Sequence, residues 1–323
     1  MKRKTASPRD VTLLIVLLAA ILLAGPSEAG AAQTAEIESR HVDIWSDYTR
    51  LSADLFYPKG ARAGDNLPAI ILCPGWGGLR VNFNRGYAPD FARAGYVVLT
   101  FDYRGWGDSD SRLIIAGPAP KLDENGEVTV RARTVREIVD PRDQTEDIVN
   151  AINFISGEPM VDPDRIGLWG SSFGGGNVVS VSAQDGRVKS IVIQVASLHH
   201  RWIAREKVKR QAMARARSAM DQLPPDTDRL KGLKGTPNYV RMAASHPIDL
   251  ADRLRIPVLI IDAENEELFN TKEHGKALHG LLKNRVPVRY EVVPGTHYDI
   301  YTKSREPATR MAIEWFDQYL KKK

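Results

Sequence analysis

Six short runs of apolar, largely β-branched residues limit the folds that this chain of 323 residues can adopt. Runs of this length are typical of strands buried on both faces of a sheet. Helical patterns at 87–94, 143–155 and 307–320 lie between or after them. The alternation predicts an α/β fold with a doubly wound, mostly parallel sheet. The apolar runs are 67–73, 96–101, 165–169, 188–195, 256–261 and 286–293.

Two stretches depart from this alternation. Residues 37–57 alternate polar and apolar side chains around a turn at Ser46 and Asp47, which predicts an antiparallel pair of strands. Residues 199–250 separate two predicted strands and contain the apolar stripe of a helix. Long insertions at the carboxyl edge of an open α/β sheet commonly cover a site, so we predict a helical cap at 199–250. The stripe consists of Val208, Ala212, Ala216 and Met220.

The first 31 residues have the layout of a secretory signal peptide. Basic residues precede an apolar run at 11–24, and Gly25, Pro26 and small residues follow it. The run is shorter than the ~20 residues that span a bilayer as a helix. We therefore expect export to the periplasm or the exterior, with 32–323 forming one domain; an uncleaved N-terminal anchor is the alternative. The single cysteine, Cys73, excludes an intramolecular disulfide and is expected to be buried.

The strongest chemical signal is the sequence Gly170-Ser171-Ser172-Phe173-Gly174. A predicted strand leads directly into it, and a helix-compatible stretch at 175–183 follows. A strand–turn–helix arrangement of this kind holds a nucleophile on a sharp turn with its hydroxyl exposed, while the glycines allow close backbone approach. Ser172 is therefore the predicted nucleophile, and Ser171 is the competing hydroxyl.

A serine nucleophile needs a base, and the base needs an acid that orients it. In this arrangement the acid follows the serine and the histidine comes last. His297, in the loop after the last predicted strand, is the late histidine with a suitable setting. The acid is expected after strand 256–261, where Glu266 has the reach of a loop tip. The alternatives are Asp262, Glu264 and Glu267.

An attacked carbonyl also needs backbone N–H donors close to its oxygen. We expect one from Phe173, the residue after the nucleophile. We expect the other from Trp76, in the glycine-rich loop that follows the first long parallel strand. Tyr103 and Trp106 lie in the loop after the next strand, and we predict that they line the substrate pocket.

These motifs, in this order, resemble the α/β-hydrolase fold family. The resemblance covers nearly all of the chain from 37 to 321, and within the family it is strongest to the dienelactone hydrolase and acetyl-xylan-esterase-like branch and to prolyl oligopeptidase-type catalytic domains. It implies a Ser–acid–His hydrolase without metal or organic cofactor, and it supports Glu266 as the acid. Ala263 and Pro74 stand where the family usually has Gly and often has His, which leaves the substrate class open. The matching pieces are 74–78, 102–109, 162–167, 170–174 and 295–297.

The predicted function is hydrolysis of a small-molecule carboxylic ester through an acyl-enzyme on Ser172. The alternatives are a peptidase of the prolyl or Xaa-Pro type, a dienelactone or carbon–carbon bond hydrolase, and a catalytically silent binding module. A formal net charge of +5 is too mild to indicate nucleic-acid binding. Seven basic residues and one acid lie between Arg201 and Arg217, which predicts a solvated helix face or a weak contact with an anionic membrane surface.

Overall fold

The computed structural model describes residues 35–217 and 232–321. The predicted signal peptide at 1–31 and Met220 of the predicted cap helix lie outside the described residues. Within the described ranges, no helix combines the length and the apolar character needed to cross a bilayer.

Eight strands form one sheet in the order β1-β2-β4-β3-β8-β9-β11-β12. The pairs β1–β2 and β2–β4 are antiparallel, and the other neighbours run parallel. The predicted mostly parallel sheet with an N-terminal antiparallel pair is therefore confirmed. The strands of the described residues are β1 Ile37–Ser46, β2 Thr49–Pro58, β3 Leu67–Cys73, β4 Val97–Phe101, β5 Arg112–Ile115, β6 Ala132–Val135, β7 Ile138–Val139, β8 Val161–Ser171, β9 Val188–Gln194, β10 Thr236–Pro237, β11 Val258–Ala263 and β12 Val288–Val293.

Helices cover both faces of this sheet, because successive side chains of a strand point to opposite faces. On β3, Ile71 belongs to the core shared with α2, α3 and α6, whereas Leu72 belongs to the core shared with α1 and α7. Both faces are apolar, which explains the unbroken apolar runs in the sequence. The α-helices of the described residues are α1 Tyr87–Arg93, α2 Pro141–Ser156, α3 Phe173–Ser182, α4 Arg205–Ala216, α5 Tyr239–Met242, α6 Gly275–Leu282 and α7 Arg305–Leu320.

The second half of the insertion returns to the domain beside the N-terminus of α2. The Asp140 carboxylate caps that helix by accepting from the Arg142 amide at 3.0 Å. Its other oxygen accepts from Asn238 Nδ2 at 2.6 Å and from Arg241 Nη1 at 2.8 Å. The short strand β10 pairs with β7 close to the Asp140 carboxylate. These contacts fix the chain after residue 232 against the rim of the sheet, where the candidate site lies.

Candidate active site

Ser172 lies in the single-residue turn between strand β8 and helix α3. Its backbone has φ 55° and ψ −123°, a left-handed conformation that costs free energy for a residue with a side chain. Hydrogen bonds on both sides hold it there: the Ser172 amide donates to Gln194 O at 2.9 Å, and the Ser197 amide donates to Ser172 O at 3.0 Å. The neighbouring strand β9 thus fixes a turn that the local sequence alone would disfavour.

The glycines of the motif are required by close backbone contacts. A Cβ atom on Gly174 would overlap the carbonyl oxygens of Cys73 and Pro74, at the end of β3. A Cβ atom on Gly75 would lie 3.0 Å from Ser172 Cβ. The glycine-rich loop after β3 therefore packs directly against the turn that carries Ser172, as the sequence motifs predict for two parts of one site.

The structure brings Ser172, His297 and Glu266 into one hydrogen-bonded chain. His297 Nε2 lies 3.1 Å from Ser172 Oγ. On the other side of the ring, Nδ1 lies 2.8 Å and 3.0 Å from the two carboxylate oxygens of Glu266. Because a carboxylate only accepts, Nδ1 carries the proton and donates a hydrogen bond to Glu266. Nε2 is then left as an acceptor that faces the serine. The side chains of His297 and Glu266 are each only 2% exposed, so water screens this contact little.

The other three acids of this loop have different contacts. Glu267 Oε2 accepts from the backbone amide of His297 at 2.7 Å and thereby helps to fix the loop. Asp262 is buried at the end of β11, where Oδ2 accepts from Tyr290 at 3.0 Å. Burial, with the nearby Glu266 charge, raises the pKa of Asp262 to about 7. Glu264 is exposed to solvent. Glu266 is thus the carboxylate in contact with the imidazole of His297.

The two predicted oxyanion donors belong to neighbouring residues of this site. The rings of Trp76 and Phe173 meet edge to face, with centroids 5.6 Å apart. Among the described residues, neither backbone amide donates to a protein acceptor. The Trp76 indole N–H donates to Lys234 O at 2.9 Å, so the returning insertion braces the loop that carries the first of these amides.

A cavity of about 1310 Å³ opens over Ser172. Single small-molecule sites commonly enclose about 300–1,000 Å³, so this space is large enough for an extended substrate. The insertion contributes His199, His200, Leu233 and Met242 to its wall. Aromatic side chains from the rest of the chain also line it, among them Trp76, Phe173, Phe269, Tyr298 and Tyr301.

Tyr103 and Trp106 do not line this cavity, and the prediction that they line the substrate pocket is wrong. Both side chains are 1% exposed and belong to the main core. The Tyr103 ring packs edge to face on Phe101 at 5.1 Å. The Trp106 indole N–H donates to Ile138 O at 3.1 Å. The loop after β4 turns these rings inward, a direction that the sequence pattern does not reveal.

Three histidines of the cavity wall are held in the neutral form. Burial lowers the pKa of His200 to about 4 and that of His274 to about 3, and burial also lowers the pKa of His199. The imidazoles of His199 and His274 stack with centroids 4.2 Å apart, so a charge on either ring would repel a charge on the other. At neutral pH these three imidazoles are therefore uncharged polar groups of the wall.

Several residues of the site carry no motif and were not identified from the sequence. Phe269 packs against His297 with centroids 5.6 Å apart. Beneath the nucleophile, the hydroxyls of Tyr301 and Ser171 are 2.6 Å apart, and Gln194 Nε2 donates to Ser171 Oγ at 3.1 Å. Because Ser171 is fully buried in this network, its hydroxyl does not face the cavity. The position of Tyr301 four residues after His297 is the only sequence signal that could have pointed to it.

The basic residues of the insertion are mostly turned away from the cavity. Helix α4 exposes Arg205, Lys209 and Arg210 to solvent. Trp202, just before the helix, is half exposed and also lines the cavity. The described basic residues between Arg201 and Arg217 therefore add no positive charge to the cavity wall.

Comparison with known proteins identifies relatives over most of the chain. A family model described as alpha/beta hydrolase fold matches residues 68–233. An uncharacterized 31.7 kDa protein of Escherichia coli, from the traX-finO intergenic region, is 30% identical over 286 residues, which cover 78% of this chain and 91% of that protein.

Solved structures show the same fold. The crystal structure of the hypothetical protein PA2218 from Pseudomonas aeruginosa aligns with a TM-score of 0.63 and 24% identity, covering 88% of this chain and 95% of that one. A dienelactone hydrolase structure from Klebsiella pneumoniae has a TM-score of 0.56 at 15% identity, covering 88% and 100%. Acetyl xylan esterase from Paenibacillus sp. R4 has a TM-score of 0.55 at 20% identity, covering 99% and 97%. At these identities the likeness concerns the fold.

Proposed function

The chain belongs to the α/β-hydrolase fold family, and we propose that it is an exported serine hydrolase that cleaves carboxylic esters through an acyl-enzyme on Ser172. The observation that carries the proposal is the 3.1 Å contact between His297 Nε2 and Ser172 Oγ, on a strained turn that opens into the cavity. A buried carboxylate on Nδ1 completes the arrangement that activates a serine hydroxyl.

In the first half of the reaction, Ser172 Oγ attacks the ester carbonyl carbon while its proton passes to His297 Nε2. The imidazole becomes positively charged, and the Glu266 carboxylate stabilises that charge through the Nδ1 hydrogen bond. The carbonyl oxygen becomes an oxyanion, to which the backbone amides of Trp76 and Phe173 donate hydrogen bonds. His297 then returns the proton to the departing alkoxide oxygen, so the alcohol leaves and the acyl group stays on Ser172.

The second half repeats these transfers with water in place of serine. Water attacks the acyl carbon while His297 Nε2 takes its proton, and the same two amides hold the new oxyanion. Collapse of this intermediate breaks the bond to Ser172 Oγ, which recovers its proton from His297. The products are the carboxylic acid and the free enzyme.

A fluorophosphonate probe tests the nucleophile, because it forms a covalent bond only with an activated hydroxyl. We expect labelling of the wild type and none of Ser172→Ala, together with loss of p-nitrophenyl ester hydrolysis in that variant. Ser171→Ala is the matched control, since it removes the adjacent hydroxyl and is expected to keep the label. Unchanged turnover in Ser172→Ala would show that another group performs the chemistry.

The substrate bond is tested with p-nitrophenyl esters beside p-nitroanilides of proline-containing peptides. We expect turnover of the esters and little of the anilides. A higher kcat/KM on the anilides would favour the peptidase alternative instead.

The exported location rests on the layout of the first 31 residues, with a basic start, an apolar run and small residues after it. Fusing residues 1–40 to alkaline phosphatase, which is active only outside the cytoplasm, tests this part of the proposal. Phosphatase activity is expected, and a matched fusion with two lysines in the apolar run should lose it. An inactive first fusion would refute export.

A further inference from the structure

We propose that His274 Nε2–H donates a hydrogen bond to a neutral oxygen of the substrate, so that the site selects esters carrying a second oxygen function over plain alkyl esters. The inference rests on the proposed ester hydrolysis and adds a substrate class to it. It concerns a part of the cavity wall that does not touch the reacting bond.

The tautomer of His274 is set by the backbone. The Leu198 amide donates to His274 Nδ1 at 2.8 Å, and both residues are buried. A backbone amide can only donate, so Nδ1 must be an unprotonated acceptor. The one proton of the neutral ring therefore resides on Nε2.

This ring remains neutral over the pH range in which an esterase works. Protonation would place a hydrogen on Nδ1 that points at the Leu198 amide hydrogen, so the bond would be lost. Burial, together with the neighbouring His199, His200 and Arg201, lowers the pKa of His274 to about 3. Nε2–H is thus a permanent uncharged donor.

The donor lacks a partner in the protein. Among the described residues, no acceptor forms a hydrogen bond with His274 Nε2, although the side chain is only 4% exposed and lines the cavity. Solvent in the open cavity can pair with this donor before a substrate binds. A substrate oxygen that reaches the donor replaces that partner, whereas an alkyl chain in the same place would exclude solvent and leave the donor unpaired, which is unfavourable.

The donor lies close enough to the reacting centre to form a hydrogen bond with the substrate molecule bound there. The His274 ring lies 4.5 Å from the Phe269 ring, whose other neighbour is the His297 imidazole at 5.6 Å. Phe269 therefore contacts both imidazoles, whose centroids are at most about 10 Å apart, the sum of these two distances. A chain that passes over this ring connects the scissile carbonyl with the donor.

The surroundings favour a neutral oxygen over a carboxylate. Glu273 precedes His274 in the chain, lines the same cavity and lies 3.7 Å from His199 Nε2. The nearby arginines are already paired, Arg201 with Asp249 at 2.6 Å and Arg305 with Asp90 at 2.5 Å. A negative group on the substrate would therefore be repelled by Glu273, whereas a ketone, ether or hydroxyl oxygen would not. The recognised class is therefore an uncharged, oxygenated ester.

Two ladders of esters test the proposal on the wild-type protein. One carries a ketone at successive positions of the acyl chain, and the other carries it at successive positions of the alcohol chain. Each compound is compared with the plain alkyl ester of equal length in a pH-stat, after correction for its rate of alkaline hydrolysis. We expect a preference of roughly fivefold to tenfold in kcat/KM at one or two adjacent positions of one ladder.

His274→Phe keeps a ring of similar size but removes the donor, and it should abolish the preference while the alkyl esters are still hydrolysed. His279→Phe, on helix α6, which begins directly after His274, lies outside the cavity wall. It is the matched control and should retain the preference. Equal kcat/KM for ketone and alkyl esters throughout both ladders would overturn this inference alone. Failure to hydrolyse any ester would instead refute the proposed function. The wild-type ladders give the answer even if His274→Phe does not fold.

Discussion

The orienting acid can be tested by replacing Glu266 with glutamine, which preserves size but removes the charge. In the native site both carboxylate oxygens lie within 3.0 Å of His297 Nδ1. A glutamine amide can turn its NH₂ group toward Nδ1, which favours the tautomer with its proton on Nε2. That tautomer cannot accept the proton of Ser172, so the variant holds its base in the wrong form.

The magnitude follows from the charges that form during the reaction. His297 becomes positive while Glu266 is negative, and both side chains are 2% exposed. With about 4 Å between charge centres and an effective dielectric constant of about 20, their attraction is about 4 kcal/mol. At about 1.4 kcal/mol per tenfold in rate, its loss lowers kcat about 1,000-fold. The tautomer error adds to this, so the expected decrease is roughly 10³- to 10⁴-fold.

The assay is the steady-state hydrolysis of a p-nitrophenyl ester, with Glu267→Gln as the matched control. Within the described part of the chain, Glu267 accepts from the backbone amide of His297 and not from its imidazole, so its charge is not on the ring. We expect Glu267→Gln to lose no more than about tenfold in kcat. A decrease in Glu267→Gln equal to that in Glu266→Gln, or a loss of less than tenfold in Glu266→Gln, would refute this assignment of the acid.

Two further predictions concern stability. The pKa of Asp262 rises from 3.8 to about 7 on folding, so the native state binds more protons between these values and loses stability as pH rises through them. Asp262→Asn removes this loss. In urea titrations, the unfolding free energy of the variant minus that of the wild type should rise by up to about 4 kcal/mol from pH 4 to pH 8. A difference that does not depend on pH would contradict this prediction. Gly174→Ala should lower the unfolding free energy by about 3 kcal/mol or more, since its methyl group would overlap the carbonyl oxygen of Cys73. Gly280→Ala, with open space around its Cβ position, is the control and should change stability by less than 1 kcal/mol.

Hydrophobic patterning and motif order predicted the fold and the family, and both predictions are confirmed. The parallel strands are buried on both faces, so their sequences are continuously apolar and easy to recognise. The strand–turn–helix motif at 170–174 is a local feature, because its glycines and its serine lie close together in the chain. Ser172 and the two candidate amides could therefore be chosen from short stretches of sequence.

The residues that line the pocket differ from the sequence prediction more than the candidate reacting residues do. Tyr103 and Trp106 follow a strand at the correct edge, yet both rings pack in the core. A loop has no repeating period, so the sequence does not tell which way its side chains point. The actual wall includes Phe269 and His274, which precede or begin helix α6 and belong to no motif.

The sequence by itself determined the type of sheet, the position of the turn that presents Ser172 and the order of the candidate serine, acid and histidine, because these follow from short stretches of sequence and from their order along the chain. The strained conformation of Ser172 within that turn depends on its hydrogen bonds with Gln194 and Ser197. Only the tertiary structure decided which of four carboxylates contacts His297. Asp262, Glu264, Glu266 and Glu267 lie within six residues, and a difference of one position changes the partner from an imidazole to a backbone amide. The neutral donor on His274 was likewise fixed by the Leu198 amide, which is 76 residues away in the sequence. Contacts of this range depend on how the sheet and helices pack, and no local pattern encodes them.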